Sequence, residues 1–156
     1  MQASKIESVE KQRLLKESIK VGVASCLLGN KVRFNAGDKY DEFVVEPLGK
    51  FFDWTVVCPE FEIGLGVPRE SIHLVQKGSK IELVTTRTDA NLTEPMLHYA
   101  QKKVAALRKM SLRGYILKKA SPSCGMERVK VYQKTGIPSH DGRGLFASVL
   151  MSELPN

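Results

Sequence analysis

Val21-Gly-Val-Ala-Ser25 is a short strand pattern that runs straight into a thiol and a tight turn, Cys26-Leu-Leu-Gly29. Outward from it, the same shape recurs. Trp54-Thr-Val-Val57 is a β-rich run that ends in Cys58-Pro59-Glu60, and Gly114-Tyr-Ile-Leu-Lys118 leads into Ala120-Ser-Pro-Ser-Cys-Gly125. Ile81–Thr85 is a further candidate strand. Helical patterns separate these runs. Residues 1–20 carry Ile6, Val9, Leu14 and Ile19 at amphipathic spacing, as an appendage to the domain. Asp41–Phe52 has acids in its first turn and Phe43, Val44, Leu48 and Phe51 on one face, although Pro47 and Gly49 count against an unbroken helix. Thr93-Glu94-Pro95 is a helix start, with Thr93 as cap and Leu97, Ala100, Val104 and Leu107 as the core stripe. A closing helix runs from Leu145 to Leu154 behind Gly142-Arg-Gly144. Strands alternating with helices predict an α/β fold: a single three-layer domain, with a mostly parallel sheet flanked by helices.

The chain has three cysteines, Cys26, Cys58 and Cys124, spaced 32 and 66 residues apart, so no Cys-x-x-Cys motif exists. What they share is position, each just after a predicted strand in a loop of small or proline residues. Read singly, each is an ordinary buried thiol. In a parallel sheet, however, the C-terminal ends of the strands share one edge, where ligands bind. Three thiols would then converge on one site. They could hold zinc with His73, His98 or His140 as fourth ligand, but none of these lies in a predicted strand-end loop. They could instead hold an iron–sulfur cluster, whose four irons normally take four cysteines, leaving one iron open as a Lewis acid for a soft atom. Glu60, two residues after Cys58, and Ser121 and Ser123, just before Cys124, are carboxyl and hydroxyl groups suited to proton transfer beside a metal. Each is equally an ordinary loop former.

Length and composition bound the setting. At 156 residues, 42% hydrophobic and 26% charged, the chain suits one globular domain with a real core, not disorder, collagen or coiled coil. No apolar run approaches the ~20 residues of a membrane span. The charged N-terminal residues do not form a secretory signal, and an odd cysteine count does not suit a disulfide scaffold. A reducing cytoplasm is the expected location. The net charge of +7 is uneven: residues 101–134 hold ten Lys or Arg against Glu127 alone, so this window carries +9 and the rest of the chain −2. Such a segment can attract a polyanion or simply be a solvated helix face.

Taken together, five ordered motifs resemble the TudS-type thiouracil desulfidases. They are Ser25-Cys26-Leu-Leu-Gly29 with Val32-Arg33-Phe34, Val57-Cys58-Pro59-Glu60, Gly64-Leu-Gly-Val-Pro68-Arg69, and Ser121-Pro-Ser-Cys-Gly125. The resemblance covers residues 19–152. It implies an α/β fold whose cysteines, here Cys26, Cys58 and Cys124, bind a 4Fe-4S cluster at the strand C-terminal ends. It also implies catalytic roles for Glu60 and Ser121 in proton management, and release of uracil and sulfide from a thiolated pyrimidine. Ser123, Arg33 and Arg69, in the same motifs, are expected at the substrate. Phe34-Asn35-Ala36-Gly37 departs from the family's Tyr-Asp-Gly-Gly, so no role transfers to Asn35. Gly64–Glu70 and Met126–Tyr132 look closer to the RudS-type proteins, which remove sulfur from 4-thiouridine in tRNA and carry a second, C-terminal domain. That domain would begin near Asn156.

The expectation is therefore a TudS-like domain over residues 19–156 behind an N-terminal helical extension over 1–18. Its substrate would be 2-thiouracil or 4-thiouridine, free or in tRNA, and its cofactor a 4Fe-4S cluster. The competing reading is an RNA-binding module with a structural zinc or no metal, motivated by the basic window. A thiol redox sensor is disfavoured by the lack of closely paired cysteines.

Overall fold

The computed structural model describes residues 18–155. The helix expected over residues 1–18 lies, but for Ser18, outside the described residues. Ile19 and Lys20, at the end of the amphipathic pattern, already belong to the first strand.

Three of the expected strands form a parallel sheet. β1 (Ile19–Ala24) lies between β2 (Phe52–Val57) and β5 (Gly114–Ile116), in the order β2-β1-β5. The last four residues of β1 are all buried, as a central parallel strand covered on both faces requires. Its Gly22 has a structural reason: the Tyr115 ring from β5 lies across it, so a side chain here would collide with that ring. A second sheet has the order β4-β3-β6-β7, formed by β3 (Ile72–Lys77), β4 (Lys80–Thr85), β6 (Val129–Tyr132) and β7 (Pro138–Gly142). Its central pair β3–β6 is parallel, and the outer pairs are antiparallel. Only β4 of these was read as a strand from sequence.

The helices differ from expectation in instructive ways. The helix expected over Asp41–Phe52 is a single turn, α1 (Glu42–Val45), followed by a 3-10 turn at Leu48–Lys50. Asp41 caps it, its carboxylate accepting from the Val44 N–H at 3.1 Å, but Pro47 has no N–H to continue the ladder. Phe43 and Phe51, expected on a buried face, are 65% and 66% exposed. A four-residue helix, α2 (Pro59–Glu62), follows Cys58.

The long helix α3 (Thr93–Lys109) forms as expected, with Met96, Ala100, Val104 and Leu107 buried. Met96 takes the fully buried place expected for Leu97. The Thr93 hydroxyl does not cap the helix; it accepts from the Leu83 N–H of β4 at 2.9 Å and ties α3 to the second sheet. Helix α4 (Leu145–Glu153) packs Phe146 and Leu150 into a core shared with α3, Leu74 and Leu83 of the second sheet, and Cys124. Among the described residues, no helix is long and apolar enough to cross a membrane.

The start of α4 fixes the last cysteine loop. Gly144 N–H donates to Gly125 O at 2.7 Å, Leu145 N–H to Pro122 O at 3.1 Å, and Ala147 N–H to Ser123 O at 3.0 Å. Gly144 is needed for this approach, because a Cβ there would stand 2.4 Å from Ser123 O and 2.8 Å from Cys124 N, both backbone atoms. Gly144→Ala should therefore destabilise the protein by about 1–3 kcal/mol, the usual cost of overpacking. This would be read as a lower urea midpoint. An unchanged midpoint would show that the loop yields freely.

Candidate active site

Each of the three strands of the parallel sheet delivers one cysteine. Beyond β1, Cys26 sits in a 3-10 turn (Ser25–Leu28) closed by Gly29 at φ +86°, a left-handed conformation that glycine adopts without strain. The Cys26 carbonyl accepts from the N–H groups of Gly29 and Lys39, at 3.3 and 2.9 Å. Beyond β2, Cys58 occupies the N-cap of α2, with Pro59 in the first turn. Its N–H donates to Glu62 Oε1 at 3.2 Å, and its thiol lies 4.0 Å from Val32 O. Beyond β5, Cys124 ends a turn organised by Ser121, whose hydroxyl accepts from the Cys124 and Ser123 N–H groups at 3.0 and 3.3 Å.

All three cysteines are free and line one cavity of about 210 Å³. Burial pushes each thiol up from its ordinary range, most strongly at Cys124. For Cys26 the neighbouring Lys118 and Arg33 oppose that shift. The thiols are thus protonated at neutral pH, and a metal would have to displace protons to use them. The donor set is entirely sulfur, suited to a soft or thiophilic metal. Among the described residues, no three His, Cys, Asp or Glu side chains are grouped to hold a single metal ion. His73, weighed as a fourth zinc ligand, instead stacks edge-on against Tyr132 at 5.1 Å. The site is a cavity walled by separate thiols, not a point on which they close.

Glu60 also lines this cavity, and both its oxygens are engaged. Oε2 accepts from Arg69 Nη2 at 2.7 Å and Oε1 from the Ser123 hydroxyl at 2.5 Å. The pair is well shielded, with the Arg69 and Glu60 side chains 5% and 18% exposed. Arg69 is itself anchored by donating from Nη1 to Gly66 O at 2.7 Å, while its Nε is buried with no hydrogen-bond partner among the described residues.

The residues expected from sequence are brought together, with a division of labour that sequence does not show. Arg33, Arg69 and Ser121 line the cavity. The Arg33 guanidinium also lies over the Phe34 ring at 5.4 Å. Ser123, expected at the substrate, is fully buried behind the cavity wall, with its hydroxyl given to Glu60. Ser121 stands one step further on, its Oγ 3.4 Å from that of Ser123. Asn35 turns away from any such role, accepting locally from the Gly37 N–H. Lys118 was missed: it lines the cavity beside Cys26, and burial pushes its pKa down. Its place at the end of a predicted strand was the signal available. Of the ten cations in the 101–134 window, Lys118 lines the cavity, whereas Lys103 is paired with Glu62 and Arg108 with Glu153.

A family model described as 2-thiouracil desulfurase matches residues 21–156. The uncharacterized protein YbbK of Bacillus subtilis (strain 168) is 30% identical over 112 residues, which cover 66% of this chain and 71% of YbbK. Among solved structures, the 4Fe-4S-dependent thiouracil desulfidase TudS superposes with a TM-score of 0.66 at 25% identity, over 86% of each chain.

The Arg69–Glu60 pair yields a direct test. A double-mutant cycle with Arg69→Met and Glu60→Gln, read by urea unfolding, should give a coupling energy of about 0.5–3 kcal/mol, the range for groups in direct contact within one network. A coupling near zero would mean that the guanidinium does not hold the carboxylate.

Proposed function

From the premise that the chain belongs to the 2-thiouracil desulfurase family, we propose that it is an iron–sulfur-dependent desulfidase acting on a thiolated pyrimidine. The observation that carries this reading is the single cavity in which three free cysteines face a carboxylate held by an arginine and a serine. The desulfidase domain is assigned to residues 19–156, and the setting to a reducing cytoplasm, in keeping with three free thiols.

The residues present fit a 4Fe-4S cluster. A lone zinc needs its sulfurs at about 2.3 Å from one point, and no such grouping occurs among the described residues. A cluster spans a wider gap between thiols, and Cys26, Cys58 and Cys124 are the ligands we assign to it. Bound there, it supplies an iron without a cysteine ligand, a Lewis acid with affinity for the thiocarbonyl sulfur.

The remaining roles belong to the chain. Glu60, positioned by Arg69, takes a proton from the attacking water, whose oxygen forms the new C–O bond as the C–S bond breaks. Ser123 and Ser121 extend from Glu60 as a chain of hydroxyls and return that proton to the departing side at the cavity wall. Thiouracil and water thus become uracil and hydrogen sulfide with no change of oxidation state. Arg69 Nε and the Arg33 guanidinium are the donors we assign to the pyrimidine's exocyclic oxygen and ring edge. The cations Arg33, Lys39 and Lys118 near Cys26 favour a base carried on a phosphate backbone, and 4-thiouridine in tRNA is the carrier we propose beside the free base.

Anaerobic reconstitution followed by incubation with 2-thiouracil, 4-thiouridine and thiolated tRNA, with sulfide measured, tests this reading. Roughly four irons per chain are expected, with sulfide released from at least one substrate. Glu60→Gln and Ser121→Ala should each lower the rate about 10²–10⁴-fold, the usual worth of positioned acid–base groups. A protein that takes up zinc and not iron, and binds RNA without releasing sulfide, would select the RNA-binding alternative.

A further inference from the structure

The turn that begins at Cys58 is too short to hold itself in place. α2 (Pro59–Glu62) is closed by the Glu62 N–H on Cys58 O at 2.9 Å and the Ile63 N–H on Pro59 O at 3.0 Å. A first helical turn fixes several residues for very few hydrogen bonds, so it is unstable in isolation. Its position comes from contacts with other elements. Two carboxylates supply them, in different directions. Glu60 reaches Arg69 and Ser123 at the cavity. Glu62 does not line the cavity. Its Oε1 accepts from the Cys58 N–H at 3.2 Å and its Oε2 from Lys103 Nζ of α3 at 2.7 Å.

Lys103 is a firm anchor for this contact. It lies on α3 among Ala100, Val104 and Leu107, whose buried side chains seat the helix in the core. The ion pair itself is only partly shielded, with the Lys103 and Glu62 side chains 27% and 30% exposed. Pairs of that exposure add little to global stability, so its effect lies in where it puts the Glu62 carboxylate. The other two cysteines are fixed differently. The Cys26 carbonyl takes main-chain N–H groups from Gly29 and Lys39, and the Cys124 N–H goes to Ser121 within its own turn.

We infer that Glu62 is a positioning residue for the desulfidase site, holding the Cys58 main chain from behind the cavity and, through Lys103, setting that thiol and the adjacent Glu60 against α3. The inference rests on the reading above, in which Cys58 is a cluster ligand and Glu60 moves the proton. Glu62 takes no part in the chemistry; it acts through the peptide of Cys58. A carboxamide in its place keeps an acceptor for the Cys58 N–H and gives up the ion pair, whereas alanine gives up both.

The test uses the full chain and its Glu62→Ala, Glu62→Gln and Lys103→Met variants. After anaerobic reconstitution, iron loss to a chelator should be roughly tenfold faster in Glu62→Ala, which loses the hydrogen bond and the ion pair. In Glu62→Gln and Lys103→Met it should rise about threefold, alike in both, because each loses the ion pair alone. In the iron-free chain, the Cys58 amide should exchange with solvent roughly tenfold faster in Glu62→Ala and close to the unaltered rate in Glu62→Gln. The urea midpoint of Lys103→Met should stay where it is. Unchanged iron loss in Glu62→Ala, or a Cys58 amide no less protected there, would overturn the inference and leave the desulfidase reading standing. So would a Lys103→Met protein whose faster iron loss comes with a lowered midpoint, since the pair would then be a general stabiliser. If Glu62→Ala does not fold, the agreement between Glu62→Gln and Lys103→Met decides the matter. An unaltered protein that takes up no iron would overturn the desulfidase reading itself, and this inference with it.

Discussion

The carboxylate of Glu60 joins three loops that no regular element connects. It sits on the first turn after Cys58, receives Arg69 from the loop beyond Gly64, and receives Ser123 from the turn that carries Cys124. Hydrogen bonds to charged groups are worth roughly twice those between neutral ones, and a largely buried pair is weakly screened by salt. Removing one partner leaves an uncompensated charge near the core, so the three loops are held in register by a contact that is costly to break. The geometry of the cavity follows from it. Two of the cysteines sit on the loops that this carboxylate clamps, and the third is placed by the neighbouring strand of the same sheet.

How much of this was legible in sequence depends on whether local pattern and tertiary pairing agree. β1 and the stripe of α3 are readable because their apolar residues are buried and carry the matching pattern, and β2 and β5 because each is a short run of β-favouring residues. Pro138–Gly142 is built from residues that signal a turn, and it becomes a strand only because β6 lies beside it. Asp41–Phe52 shows the opposite case. The amphipathic pattern is present, but Pro47 stops the helix after one turn, and Phe43 and Phe51 are left in solvent.

The site shows the same division. Its members were legible as types at strand ends, and the likeness of the motifs to the desulfidases named the chemistry. Their wiring was not legible: Ser123 and Glu60 are 63 residues apart, and Arg69 and Glu60, though only nine apart, meet through the path of the loop between them. Nothing near Arg69 in sequence indicates that its partner is Glu60, nor that Ser123 lies behind the cavity wall while Ser121 faces it. The basic window shows why charge counts mislead. Lys103 and Arg108 are spent on Glu62 and Glu153 along the flank of the fold, and Lys118 reaches the cavity from a different element.

The strand order β2-β1-β5 carries a consequence for how the protein matures. Val21 of β1 pairs with Gly114 of β5, and β2, the β3–β4 half of the second sheet and α3 intervene along the chain. Bringing such distant strands together is a slow, late event in folding, because the loop-closure entropy must be met before the pairing rewards it. During synthesis, Cys26 and Cys58 emerge well before Cys124 and can be set side by side by β1 and β2 alone. The three-thiol cavity is complete only when nearly all of the domain has left the ribosome. A cluster of the kind proposed would therefore be inserted after translation, into a domain that has already folded.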